Sequence, residues 1–181
     1  ERIRRQRKKA WQDTQVDAQV RSYYLDRSRF DGSQSEAWAL GGRVGFKTGY
    51  FRERLAFGAT AFTAQRIYGP EDKDGTGLLA PGQQGYSVIG EIYGQFVFMD
   101  GLTLDFGRKG FNTAFINESD TRMTPNTFQA TVLLGQFGGE NGSAKWRFGA
   151  GYFDKIKQKT SEEFISMATA AGAVDGVERG V

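Results

Sequence analysis

Residues 37–48 read AWALGGRVGFKT. Taken every second residue, one row is Trp38, Leu40, Gly42, Val44, Phe46 and Thr48, and the other is Ala37, Ala39, Gly41, Arg43, Gly45 and Lys47. A β-strand sends successive side chains to opposite faces. The stretch therefore reads as a strand with one uncharged face ending in aromatics, and one face of small residues carrying two cations. Which medium each face meets decides the fold.

The same alternation occurs seven times, near 15–25, 37–48, 54–65, 86–99, 102–107, 127–137 and 144–156. The uncharged row continues through Val16, Ala18, Val20 and Tyr24, then Leu55, Phe57 and Ala59, then Tyr86, Val88, Gly90, Ile92 and Phe96. It goes on with Leu102, Leu104 and Phe106, then Phe128, Ala130, Val132 and Leu134, and finally Trp146, Phe148, Ala150 and Tyr152. The opposite row holds Asp17, Arg21, Arg43, Lys47, Arg54, Glu91, Asp105, Lys145 and Arg147. Helical periodicity is weak except over 1–12 and 161–171, where Ser161 is a candidate cap.

Composition narrows the chemistry. The 181 residues suffice for one domain, and 25 glycines with 14% aromatics and 3 prolines suit an all-β chain. The chain has no Cys and no His, which excludes thiol catalysis, disulfides, Ser-His hydrolysis and His-ligated metal centres. A net charge of +3 does not point to nucleic acid. No apolar run reaches the roughly 18 residues of a spanning helix. Residues 1–11 are basic and polar with no apolar stretch behind them, so they do not read as a signal peptide. A mature exported chain and a cytoplasmic one both begin this way.

The links between strands sort by length. Short ones fall at 48–53, 100–101 and 138–143, and long ones at 26–36, 66–85 and 108–126. Short turns at one end and long loops at the other are the layout of an up-and-down membrane barrel. Aromatics cluster towards strand ends on the uncharged row, as membrane interfaces favour, with Tyr24, Trp38, Tyr86, Phe106, Phe128 and Tyr152 at the long-loop end. Small residues on the other row leave space in a lumen. The alternative is a soluble barrel or sandwich with the apolar face inward and a small apolar ligand inside.

Five stretches carry a resemblance to a known family: VRSYYLDR at 20–27, LGGRVGFKTGYF at 40–51, GATAFTAQRIYGPEDKDGTGLLAPGQQGYSVIGEIY at 58–93, INESDTRMTPNTFQA at 116–130 and DKIKQKTSEEFISMATAAGA at 154–173. In this order they resemble the OprD-type family of substrate-selective outer-membrane porins. The resemblance implies an antiparallel transmembrane β-barrel of about 18 strands, with long external loops, some folded inward. About seven strands are present here, so the chain looks like the N-terminal part of a longer protein. Residues 1–14 are then a basic arm and 15–181 the first portion of the porin domain, with 157–181 in a long loop.

The resemblance also implies roles. Loop 108–126 is the one that in many porins bends into the lumen, so Arg108, Glu118, Asp120 and Arg122 are candidate constriction residues, set against each other or against a basic wall. Arg21, Tyr23, Arg43, Lys47, Arg54 and Arg147 are candidates for a substrate path, since guanidinium groups hold carboxylates bidentately and stay charged. The structural alternative for both sets is ordinary pairing with nearby charges. The run EDKDGTG at 71–77 has a calcium-loop start, but Pro81 stands where the closing glutamate belongs, so it reads as an external turn. No cofactor, metal site or catalytic residue is expected.

The function expected is passive, selective diffusion of small anionic or zwitterionic solutes, carboxylates and amino acids among them, and not catalysis. The partners expected are those solutes and, in the outer membrane of a Gram-negative bacterium, lipid and lipopolysaccharide. No nucleic-acid partner is expected, and monomer and trimer both stay open.

Overall fold

The computed structural model describes residues 8–139 and 144–172. Its strands are β1 (Gln15–Ser28), β2 (Gln34–Lys47), β3 (Leu55–Tyr68), β4 (Tyr86–Met99), β5 (Leu102–Lys109), β6 (Thr127–Gly138), β7 (Lys145–Lys157) and β8 (Ile165–Ser166). They form one antiparallel sheet in sequence order, β1 to β8, with every strand paired to its chain neighbours. The fold is all-β and up-and-down, as the alternation implies. At a strand rise of about 3.3 Å, the 14 residues of β1 span about 46 Å. That is longer than the roughly 9–11 residues with which a tilted strand can cross hydrocarbon.

The eighth strand is two residues long and pairs Ile165 with Ile156 and Ser166 with Lys155. The helical signal over 161–171 narrows to Met167–Ala170, whose cap is Ser166 rather than Ser161; its hydroxyl accepts from the Thr169 N–H. The first expected long loop also shrinks. β1 and β2 extend until only residues 29–33 connect them, closed by the Asp31 carboxylate accepting the Ser33 N–H at 2.9 Å. Long connections remain at 69–85 and 110–126.

One face of the sheet presents large apolar side chains to the surroundings. Val20 is 82% exposed, Val44 61%, Ile92 53% and Trp146 62%. Rings on this face lie over glycines of the next strand. A Cβ at Gly94 would come within 2.3 Å of the Phe106 ring, and one at Gly135 within 2.0 Å of Phe148. The opposite face carries the charges and is covered in part by loops. A soluble barrel with the apolar row inward is therefore not the fold.

Two strands depart from the expected facing. In β4, Thr60 pairs with Glu91 but Ala61 with Ile89, so Gly90 is an extra residue and the alternation slips there. Ile92 and Phe96 keep the outer face, while Tyr86 turns to the covered side and is 3% exposed. In β6, Thr131, Leu133, Gly135 and Phe137 pair with Tyr152, Ala150, Phe148 and Trp146 and form the outer row. Phe128, Ala130 and Val132 belong to the covered face.

The cover consists of two apolar clusters. Leu78 and Leu79 from loop 69–85 and Met123 from loop 110–126 sit on Ala37, Ala39, Ala64 and Tyr86. Phe111 sits with Phe128, Ala130, Val132 and Phe153, its ring edge-on to Phe153 at 5.5 Å. Small side chains at 37, 39 and 64 are thus sockets for loop residues rather than open space. At the short-turn end, residues 8–12 form a helical turn against the β2–β3 link. Ala10 is buried there and its carbonyl accepts the Gly49 N–H at 2.9 Å. The basic residues 1–7 lie outside the described residues.

Candidate functional site

The covered face becomes a site because loop 110–126 reaches across it. Asp120 on that loop meets Arg21 on β1, with Nη1 and Nη2 each donating to one carboxylate oxygen at 2.5 Å. Arg21 Nη1 also donates to the Arg122 carbonyl at 2.9 Å, and the Gln19 amide oxygen accepts from Nε at 3.1 Å. The loop leaves from β5, four strands from β1, a separation of roughly 19 Å at about 4.8 Å per strand. A loop standing above its own hairpin could not make this contact. It crosses the concave side of the sheet, and the two-pronged guanidinium–carboxylate pair fixes where it lands.

The loop's other groups serve its own shape. Asn112 donates to Glu118 Oε1 at 2.6 Å, the Glu118 carbonyl accepts the Asn126 N–H at 2.7 Å, and Asn117 accepts the Ser119 N–H at 2.6 Å. Glu118 therefore braces the loop and does not face Asp120. Arg122 donates to the carbonyl of Thr121 and lies against Gly77 of the neighbouring loop. Loop 69–85 is tied down separately. The Gln83 amide donates to the carbonyls of Glu36, Pro70 and Lys73 at 2.9, 3.2 and 3.0 Å. The Asp74 carboxylate accepts the Gly75 and Gly82 N–H groups at 2.6 and 2.7 Å, so the calcium-like run is closed by backbone amides.

Below the loop runs a polar chain towards the short-turn end. Lys47 donates to Gln95 at 2.8 Å, Gln95 to Asp105 at 2.7 Å, and Lys109 to Asp105 at 2.5 Å. The Tyr50 hydroxyl donates to the same Gln95 oxygen, and Lys109 stands over the Tyr93 ring at 4.9 Å. Tyr93 has room because Gly58 lies beneath it; a Cβ there would come within 2.5 Å of the ring. Asp17 and Arg43 pair at 2.8 Å. Lys73, on the short 3-10 turn Glu71–Lys73, donates to Glu36 at 2.8 Å, which raises the ammonium above the ordinary lysine pKa.

Among the path candidates, Arg21, Tyr23, Arg43, Lys47 and Arg147 fall on the charged face. Arg54 does not: it is in the β2–β3 link and donates to the Phe98 carbonyl at 3.3 Å. Arg108 is not a loop residue. It belongs to β5, pairs with Ile92 and Gln129, and lies over the Phe164 ring at 4.2 Å. The residues sequence reasoning passed over are Tyr50, Gln95 and Lys109. Gln95 and Lys109 share their strand faces with residues already read as charged-side, and extending β5 by two residues would have found Lys109.

A model of the outer membrane porin, OprD family, matches residues 9–179. The chain belongs to that family. Among solved structures, OccK9 (OpdG) of Pseudomonas aeruginosa superposes with a TM-score of 0.72 at 23% identity, over 87% of this chain and 42% of its own. OccAB1 of Acinetobacter baumannii gives 0.72 at 16%, over 88% and 38%. OpdK of Pseudomonas aeruginosa, described with vanillate, gives 0.70 at 19%, over 86% and 40%. The chain thus spans about two fifths of the length of these porins, and at such identities the likeness establishes the fold. No curated protein matches. As part of an OprD-family outer-membrane barrel, the sheet has its apolar face towards lipid and its charged, loop-covered face towards the interior.

Proposed function

We propose that this chain supplies wall and constriction to a channel through which small anionic or zwitterionic solutes, carboxylates and amino acids, diffuse passively across the outer membrane. The observation that carries the reading is the Arg21–Asp120 contact, which places a loop across the enclosed face and sets opposed charges beside it. Charges of both signs around a narrow water column orient a dipolar solute, and low-dielectric walls strengthen their field. Arg43, Lys47 and Arg147 continue the cationic path along the wall, with Tyr23 beside it. Vanillate, with which one similar porin is described, is a carboxylate. A channel of this kind needs no catalytic residue.

The test is the complete protein in a planar bilayer under a salt gradient. The reversal potential reports anion selectivity, and Arg21→Glu and Arg43→Glu should each lower it. Unchanged selectivity in both variants removes the basic path, and a protein that conducts nothing removes the channel.

A further inference from the structure

The long-loop end of the charged face holds a cavity of about 430 Å³, whose cationic side chains are Arg27, Arg122 and Lys159. That is many times a water's share of liquid volume, about 30 Å³. The three cations come from separate segments: the end of β1, loop 110–126 and the stretch after β7. Asn126, Gln158 and Thr160 add neutral polar groups, and no Asp or Glu lines the space.

The acids nearby are committed elsewhere. Asp120 is held by Arg21, Asp74 by two backbone amides, and Glu162 accepts the Ser87 N–H at 2.9 Å. Among the described residues, no ion pair involves Arg27, Arg122 or Lys159. A fourth cation lies behind the wall. Lys157 is fully buried, and its Nζ meets only neutral oxygens, the Gln158 carbonyl at 3.1 Å and the Thr124 hydroxyl at 3.3 Å.

Resting on the channel reading above, we infer that this cavity is an entry site for dianionic solutes, short dicarboxylates in particular, at the external mouth. Long loops of outer-membrane barrels face outward, so the cavity is met before Arg21. One carboxylate satisfies one guanidinium fork and compensates one charge. Three cations on three segments, with a fourth buried beside them, need a second anionic group on the same solute. The cavity therefore discriminates by charge number, whereas the wall below it discriminates by charge sign.

The experiment uses the complete protein in a planar bilayer, with succinate or acetate added to one side at a time as a blocker of the chloride current. Succinate at the long-loop side should block at a concentration about tenfold lower than acetate, and about tenfold lower than succinate at the other side. Lys159→Gln and Arg122→Gln should each shrink that difference, while Lys159→Arg should keep it. Equal block by the two acids, or equal block from the two sides, overturns the inference, as does full succinate preference in both Gln variants. Sided succinate block without anion selectivity in the salt gradient would sink the channel reading for Arg21 and Arg43 but keep the entry site. Anion selectivity without sided block would do the reverse.

Discussion

Arg21 shows how much one side chain can settle. Its guanidinium holds a carboxylate, a backbone carbonyl and a side-chain amide, all within 3.1 Å. The pair with Asp120 is partly open to water, with side-chain exposures of 21% and 27%, so its net contribution to stability is about 1 kcal/mol. Its importance is positional. Arg21→Ala should leave the barrel folded but free the loop, seen as increased open-channel current noise; Arg21→Lys should restore quiet current only in part, since an ammonium cannot fork. Current as quiet as the parent's in Arg21→Ala would show that the loop's other anchors, Met123 and Phe111 among them, hold it without the ion pair. Glycine matters in a different way at Gly41, where a Cβ would lie 2.0 Å from the Thr63 carbonyl oxygen. Backbone cannot yield as a side-chain tip does, so Gly41→Ala should destabilise the barrel by about 1–3 kcal/mol, the overpacking range, read as a lower melting temperature in detergent.

At the scale of elements, the loops behave as packed parts with their own anchors. Met123 is 1% exposed among Ala37, Ala39, Ala64 and Leu78. Met123→Ala should cost about 2–5 kcal/mol, but locally, because the sheet's ladder does not depend on it. Limited proteolysis should then cut loop 110–126 faster while barrel melting stays near its parent value; simultaneous loss of both would mean that loop and barrel form one cooperative unit. The Lys73–Glu36 tether of loop 69–85 has a pH signature. A lysine whose folded pKa is raised contributes stability that is complete below its unfolded value and lost as pH rises through the folded one. Loop 69–85 should therefore keep its protease resistance through neutral and mildly alkaline pH and become modestly more sensitive above the ordinary lysine range, since Gln83, Leu78 and Leu79 still hold it. In Lys73→Gln that alkaline step should vanish.

For the whole molecule, the decisive feature is that both faces of the sheet are partly apolar, for different reasons. The outer one meets hydrocarbon; the inner one is dried in places by its own loops. β6 makes the distinction testable, because Val132 is 2% exposed under the loops while its neighbour Leu133 belongs to the outer row. These 181 residues contain no cysteine, so a single replacement is the one thiol within them. Leu133→Cys and Val44→Cys should react with a lipid-soluble maleimide and resist a charged reagent, whereas Val132→Cys should resist both. An arginine at 133 should cost about 2–4 kcal/mol near the midplane. Labelling of Val132→Cys from the lipid would reverse the assignment of β6.

Alternation alone determined the strands and the all-β sheet, because the two-residue period is a local property of extended backbone that each stretch states for itself. It also placed Arg21, Arg43 and Lys47 on one face, since charge in lipid is too costly to leave the rows mixed. Where an apolar row can be satisfied by either lipid or an inward loop, the sequence is ambiguous, and Phe128, Ala130 and Val132 lie on the covered side although their alternation groups them with the lipid row. The extra residue at Gly90 was invisible for the same reason: a bulge is a relation between two strands, not a property of one. Only the tertiary structure joined Arg21 to Asp120, 99 residues apart in the chain, because that contact depends on how far the sheet curves beneath the loop.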